Sequence, residues 1–259
     1  MTLQYKDITI FYTDKGKGKT IVLLHGFLEN SSMWADFTPT LCQTHRVICI
    51  DLLGHGKTQC LGYIHSMELM AEIVEKTLEK LEIKKSIIIG HSMGGYVALA
   101  FAEKNPSMVS GLCLINSTTQ ADSFERQQNR ERAIFAVKTN HERFIKMAIL
   151  NLFTLKNQEF FSKDIQYLTK EALQTPLQGI IASLEGMKIR KNRTHLFLKI
   201  PCKKLVILSK KDTVLDYKTT ITQLKNTDIN ISELPDGHMS YIENKKELLK
   251  IIMDFTTNI

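Results

Sequence analysis

The sequence has no apolar run approaching the roughly 20 residues that a bilayer-spanning helix requires. Its first residues, Met1-Thr2-Leu3-Gln4-Tyr5-Lys6-Asp7, lack a basic segment leading into an apolar one. No signal peptide is therefore expected, and a cytoplasmic location is. Cysteines are few and unpaired in pattern: Cys42, Cys49, Cys60, Cys113 and Cys202 are widely spaced, with no Cys-x-x-Cys and no Cys/His run at zinc spacing. That argues against a disulfide framework or a bound metal. Cys49 and Cys113 stand inside apolar runs, where a thiol acts as a small hydrophobe. Internal repeats and low-complexity segments are absent, and no nucleic-acid-binding motif is present. The net charge of +7 comes from lysines scattered along the chain and reads as solvated surface.

What is present is a chain of 259 residues, 43% hydrophobic and 24% charged. That length buries a sizeable core without a staple. Residues 3–13 alternate in character, Ile8, Ile10 and Tyr12 against Thr9, Phe11 and Thr13, and predict two short strands. After a turn at residues 14–18, apolar β-type runs recur at 20–24, 46–51, 86–90, 112–115, 205–208 and 229–232. Helical patterns separate them, as at 66–82, where Met67, Met70, Ile73, Val74, Thr77, Leu78 and Leu81 recur at spacings of three and four. The alternation predicts an α/β fold with a mostly parallel sheet covered on both faces. Between about Thr118 and His195 no strand-like run occurs, and the stretch is too long for one crossover connection. Residues 1–117 and 196–259 are thus assigned to the core, and 118–195 to an inserted helical cap.

Gly90-His91-Ser92-Met93-Gly94 follows one such strand and precedes a helical pattern at 96–102. A serine hydroxyl is a poor nucleophile unless it is held out of the backbone and given a base. A sharp strand-to-helix turn does the holding and needs small residues two positions either side, here Gly90 and Gly94. The base is expected in a loop after the last strand, which points to His238. Its carboxylate partner is assigned to Asp212, at the end of the 205–208 strand, in preference to Asp216, which lies further from the strand end. The oxyanion of a tetrahedral intermediate needs donors; the N–H groups of Met93 and Phe27 are assigned to it. His25 is read as orienting its loop. Together with Gly26, His91 and the cap aromatics Phe124 and Phe135, it is expected to border the substrate.

Four segments in this order resemble the α/β-hydrolase superfamily: His25-Gly26-Phe27, the stretch from Asp51 to Thr58, Gly90 to Gly95, and Gly237-His238 followed by Glu243. Lys57-Thr58 departs from the superfamily, where serine commonly stands after the Asp-x-x-Gly-x-Gly segment. The resemblance implies eight strands with the second antiparallel, a cap after the sixth, a pocket between core and cap, and no cofactor. It implies a serine hydrolase of carboxylic esters, lactones or thioesters using Ser92, His238 and Asp212 through an acyl-enzyme. It also allows a triad-retaining lyase or synthase of the menaquinone-pathway type, and a hydrolase-like small-molecule receptor. The cap cations Arg126, Arg130, Arg132, Lys138, Arg143 and Lys146 read as a solvated face, or more sharply as a surface for an anionic substrate or an acyl-carrier protein.

Overall fold

A computed structural model describes residues 1–224 and 227–259. The apolar runs form β1 (Thr2–Tyr5), β2 (Ile8–Lys15), β3 (Lys19–Leu24), β4 (His45–Ile50), β5 (Ser86–His91), β6 (Val109–Ile115), β7 (Lys203–Ser209) and β8 (Asn230–Leu234). They make one eight-stranded sheet in the order β1-β2-β4-β3-β5-β6-β7-β8. β2 pairs antiparallel with both β1 and β4, and every other pairing is parallel. β2 buries Ile8, Ile10 and Tyr12 and leaves the alternate residues half-exposed, as a strand covered more on one face does. β3 and β5 are continuous Ile, Val and Leu runs because both of their faces are covered.

The layers over the sheet begin with α1 (Thr38–Leu41), α2 (Met67–Lys80) and α3 (Met93–Lys104). α2 buries one stripe and is capped by the Ser66 hydroxyl, which accepts from Leu69 N–H at 3.1 Å. α3 is buried on every side from Met93 to Ala102, since it is wedged between the sheet and α2. Its sequence is accordingly apolar all round.

The strandless stretch between β6 and β7 forms α4 (Phe124–Thr139), α5 (His141–Leu150), α6 (Leu155–Phe160), α7 (Ser162–Ala172) and α8 (Leu177–Lys188). α9 (Thr194–Lys199) then leads into β7, so helix extends past residue 195. After β7 come α10 (Tyr217–Leu224), α11 (Ser240–Glu243) and α12 (Lys245–Thr257). No helix among the described residues is long and apolar enough to cross a membrane.

Two cap expectations are corrected. Phe124 is 75% exposed and Phe135 73% exposed. They stand eleven residues apart, close to three full turns, and so share the outward face of α4. The inward face is built from Arg126, Arg130, Ile134 and Val137, at spacings of four, four and three. Neither phenylalanine can therefore border a substrate held between cap and core.

The sheet order sets the position of the site. β4 and β5 flank β3 on opposite sides, so the chain leaves β3 and β5 in opposite directions and a crevice opens at their carboxyl ends. The loop His25–Asn30 and Ser92 lie at that crevice.

Candidate active site

Ser92 occupies the turn between β5 and α3 with φ 49° and ψ −115°. A non-glycine residue held there carries strain that the surroundings must enforce. The Ser92 N–H donates to Ile115 O at 2.9 Å, and Ser117 Oγ donates to Ser92 O at 2.7 Å. The two glycines make the turn possible. A Cβ on Gly90 would run into the Gly94 carbonyl, and one on Gly94 would lie 2.5 Å from Leu24 O.

The Ser92 hydroxyl donates to His238 Nε2 at 3.0 Å. His238 Nδ1–H faces both oxygens of Asp212 at 2.9 Å, which sets the tautomer and leaves Nε2 as acceptor. Asp212 also accepts from Val214 N–H (2.8 Å), Leu215 N–H (2.9 Å) and Asn116 Nδ2 (2.9 Å). Burial alone would raise its pKa, but the His238 ring and these hydrogen bonds outweigh burial and hold the carboxyl below its usual range. Asp216 is exposed and instead caps α10, accepting from Lys218 N–H at 3.0 Å.

Met93 N–H and Phe27 N–H have no acceptor among the described residues, although Met93 is fully buried and Phe27 half-buried. The first belongs to the opening turn of α3, where N–H groups point away from the helix unpaired. Phe27 and Ser92 line the same cavity, and Met93 directly follows Ser92 in the chain.

His25 is corrected as a substrate contact. Its Nε2 accepts from Leu52 N–H at 2.8 Å, so Nδ1 carries the proton and donates to Gly26 O at 2.7 Å. With both nitrogens committed and the ring fully buried, it holds the loop and is not among the residues that wall the cavity over Ser92. Gly26 and His91 do border the cavity over Ser92.

Sequence reasoning missed Glu29. Its Oε2 accepts from Gly26 N–H at 2.6 Å and from His91 Nδ1 at 3.0 Å. His91 Nε2 faces the His238 carbonyl at 3.1 Å. A carboxylate and a carbonyl can only accept, so the ring carries both protons and His91 is an imidazolium. Burial opposes charge on each partner, but each outweighs it for the other: Glu29 is held below its usual pKa and His91 above. One buried ion pair thereby ties together the Phe27 loop, the serine turn and the base loop. No spacing announces it, because the partners lie 62 residues apart. Asn116 was missed as well. It donates to Asp212 and to Ser209 Oγ (2.8 Å), and accepts from Ser240 Oγ (2.6 Å). Its place directly after β6, at the functional edge of the sheet, was the available signal.

A cavity of about 190 Å³ lies over Ser92, walled by Phe27, Tyr96 and His238 from the core and by Arg130, Leu152 and Met187 from the cap. It is lined by aliphatic cap side chains and one arginine, not by cap aromatics. Phe153 packs inside the cap and Phe160 faces out. Among the described residues, no group of three or more His, Cys, Asp or Glu side chains is disposed to hold a metal ion.

A family model described as the alpha/beta hydrolase fold matches residues 19–245. A 2-hydroxy-6-oxononadienedioate/2-hydroxy-6-oxononatrienedioate hydrolase from Pseudomonas putida is 27% identical over 97% of this chain and 93% of its own. A hydrolase of the same description from Paraburkholderia xenovorans is 32% identical over 70% of this chain and 63% of its own. Among solved structures, a thermophilic esterase from Thermogutta terrifontis superposes with a TM-score of 0.91 at 27% identity, covering 99% of this chain and 96% of that one. An enol-lactonase from Burkholderia xenovorans LB400 shares the fold with the same TM-score at 21% identity, covering 99% of this chain and 100% of that one. The chain belongs to the α/β-hydrolase fold family and is, at that level, an enzyme of the hydrolase class.

Proposed function

We propose that the protein hydrolyses small carboxylic esters through an acyl-enzyme on Ser92. The observation that carries this reading is the continuous relay from Ser92 Oγ to His238 Nε2 (3.0 Å) and from His238 Nδ1 to Asp212 (2.9 Å). His238 takes the Ser92 proton as Oγ attacks the ester carbonyl. Asp212 keeps the imidazole in the required tautomer and stabilises the imidazolium. The N–H groups of Phe27 and Met93 receive the oxyanion. His238 then protonates the departing alcohol. Water, deprotonated by the same ring, attacks the acyl-enzyme, releasing the acid and restoring Ser92.

The cavity favours short acyl groups. Its volume of about 190 Å³ is small beside the roughly 300–1,000 Å³ of sites that hold drug-sized ligands. With p-nitrophenyl esters of graded chain length, kcat/KM is expected to peak at short acyl groups over many turnovers. Ser92→Ala is expected to abolish the reaction. Normal hydrolysis by that variant, or one burst followed by a stall in the wild type, would overturn the proposal.

A second reading is hydrolysis of a 2-hydroxy-6-oxo dioate, favoured by the names of the two curated relatives. It predicts that such a dioate is turned over faster than any ester in the series.

A further inference from the structure

We infer that the substrate carries a free carboxylate a short chain away from the scissile carbonyl, and that Arg130 anchors it. This rests on the Ser92 reading above and adds the substrate class. The inward stripe of α4 should be apolar where it faces the core, yet two of its positions are Arg126 and Arg130. Both converge with Arg190 on one carboxylate, Asp122, whose side chain is wholly buried. Asp122 offsets one of the three charges of this cluster, and of the three arginines only Arg130 reaches the cavity wall.

The three arginines are not equally committed. Arg126 Nε contacts Asp122 at 3.1 Å and its Nη1 donates to Val214 O at 3.0 Å. Arg190 contacts Asp122 at 2.6 Å, donates to the carbonyls of Gln120 (2.9 Å) and Met187 (3.1 Å), and lies 4.1 Å over the Tyr96 ring. Arg130 spends only Nε on Asp122, at 3.1 Å. Its Nη donors meet no acceptor among the described residues, and Arg130 is the one basic residue in the cavity wall apart from the two histidines. Asp122 fixes the guanidinium from behind, and the open donors present the paired geometry that a carboxylate accepts. Around them Ala148, Leu152, Met187 and Val214 are apolar. A charge in such surroundings gains from a matching anion.

The test compares monomethyl glutarate and monomethyl adipate with methyl pentanoate and methyl hexanoate, following acid release. An arginine–carboxylate contact is expected to favour the half-esters in kcat/KM by roughly tenfold to a hundredfold, chiefly through KM. Arg130→Gln should collapse that ratio toward one, and Arg130→Lys should restore part of it. Equal losses on both ester series, with the ratio kept, would show that Arg130 serves only to lock Asp122 and would overturn the inference. So would a preference seen only for acyl groups presented on an acidic carrier protein. Calorimetry of free glutarate reads the anchor without turnover. Binding weakened about tenfold or more by Arg130→Gln supports it, and equal or absent binding refutes it even if the serine-hydrolase reading stands. If no ester is hydrolysed but glutarate binds through Arg130, the hydrolase reading fails and the anchor survives.

Discussion

Glu29→Ala tests the buried pair that joins the three loops of the site. The substitution leaves the Gly26 N–H without its 2.6 Å acceptor and His91 without its counter-ion. Removing one member of a buried ion pair costs about 3–5 kcal/mol. The lower figure applies, because His91 can shed its stranded charge by losing a proton. At about 2–4 °C per kcal/mol for a chain of this size, Tm should fall by roughly 6–12 °C. The loop so freed carries the Phe27 N–H. Loss of one oxyanion donor costs about 10²–10³ in kcat, and a loosened one should cost about tenfold to a hundredfold with KM less affected. The pH dependence has a definite sign. Glu29 is held below its usual range, so its contribution is present above the unfolded value and is lost as pH falls through the folded one. His91 is held above 6.5, so its contribution is complete below that value and is lost as pH rises through the folded pKa. The Tm gap between wild type and variant should therefore be widest in weakly acidic to neutral solution and narrow at alkaline pH. Calorimetric unfolding at pH 6 and pH 9, with kcat in parallel, measures it. An unchanged Tm at pH 6, or a gap that widens toward pH 9, would refute the ion-pair assignment.

Other expectations follow from the same geometry. Ser92→Gly should be about 1 kcal/mol more stable than Ser92→Ala, because glycine relieves the strain at φ 49° and ψ −115° and gives back part of the gain in chain entropy; equal unfolding midpoints would deny the strain. Asp212→Asn should keep the fold and lower kcat by about 10⁴, since the amide favours the wrong His238 tautomer; steady-state kinetics on a short ester decides it. Gly94→Ala should cost about 1–3 kcal/mol and most of the activity, as its methyl would press on Leu24 O and His25 O; an active, equally stable variant would contradict the packing.

The layered architecture was legible because buried parallel strands must be continuous apolar runs, as at 20–24 and 86–90, and because a stretch as long as 118–195 without one cannot be a simple connection. Ser92, His238 and Asp212 were legible because each sits at a strand's carboxyl end, where chain order and turn chemistry constrain it. The cap was not. Hydrophobicity nominated Phe124 and Phe135 for the pocket, but the face a helix buries depends on what it packs against. On α4 the sequence shows apolar residues on two faces, and only packing against the rest of the protein selected the one bearing Arg130, Ile134 and Val137. Glu29 was hidden for a different reason. An acid in a polar loop looks like solvated surface until a histidine 62 residues away closes over it.

The central claim is that Ser92 is the nucleophile activated by His238. Its most direct test is a fluorophosphonate that reacts with activated serines, followed by intact-mass measurement and peptide mapping of the purified protein. The account expects stoichiometric labelling on the peptide containing Ser92, none on Ser92→Ala, and labelling slowed by orders of magnitude in His238→Ala. Equal labelling of Ser92→Ala, or no labelling of a folded wild type, would contradict it.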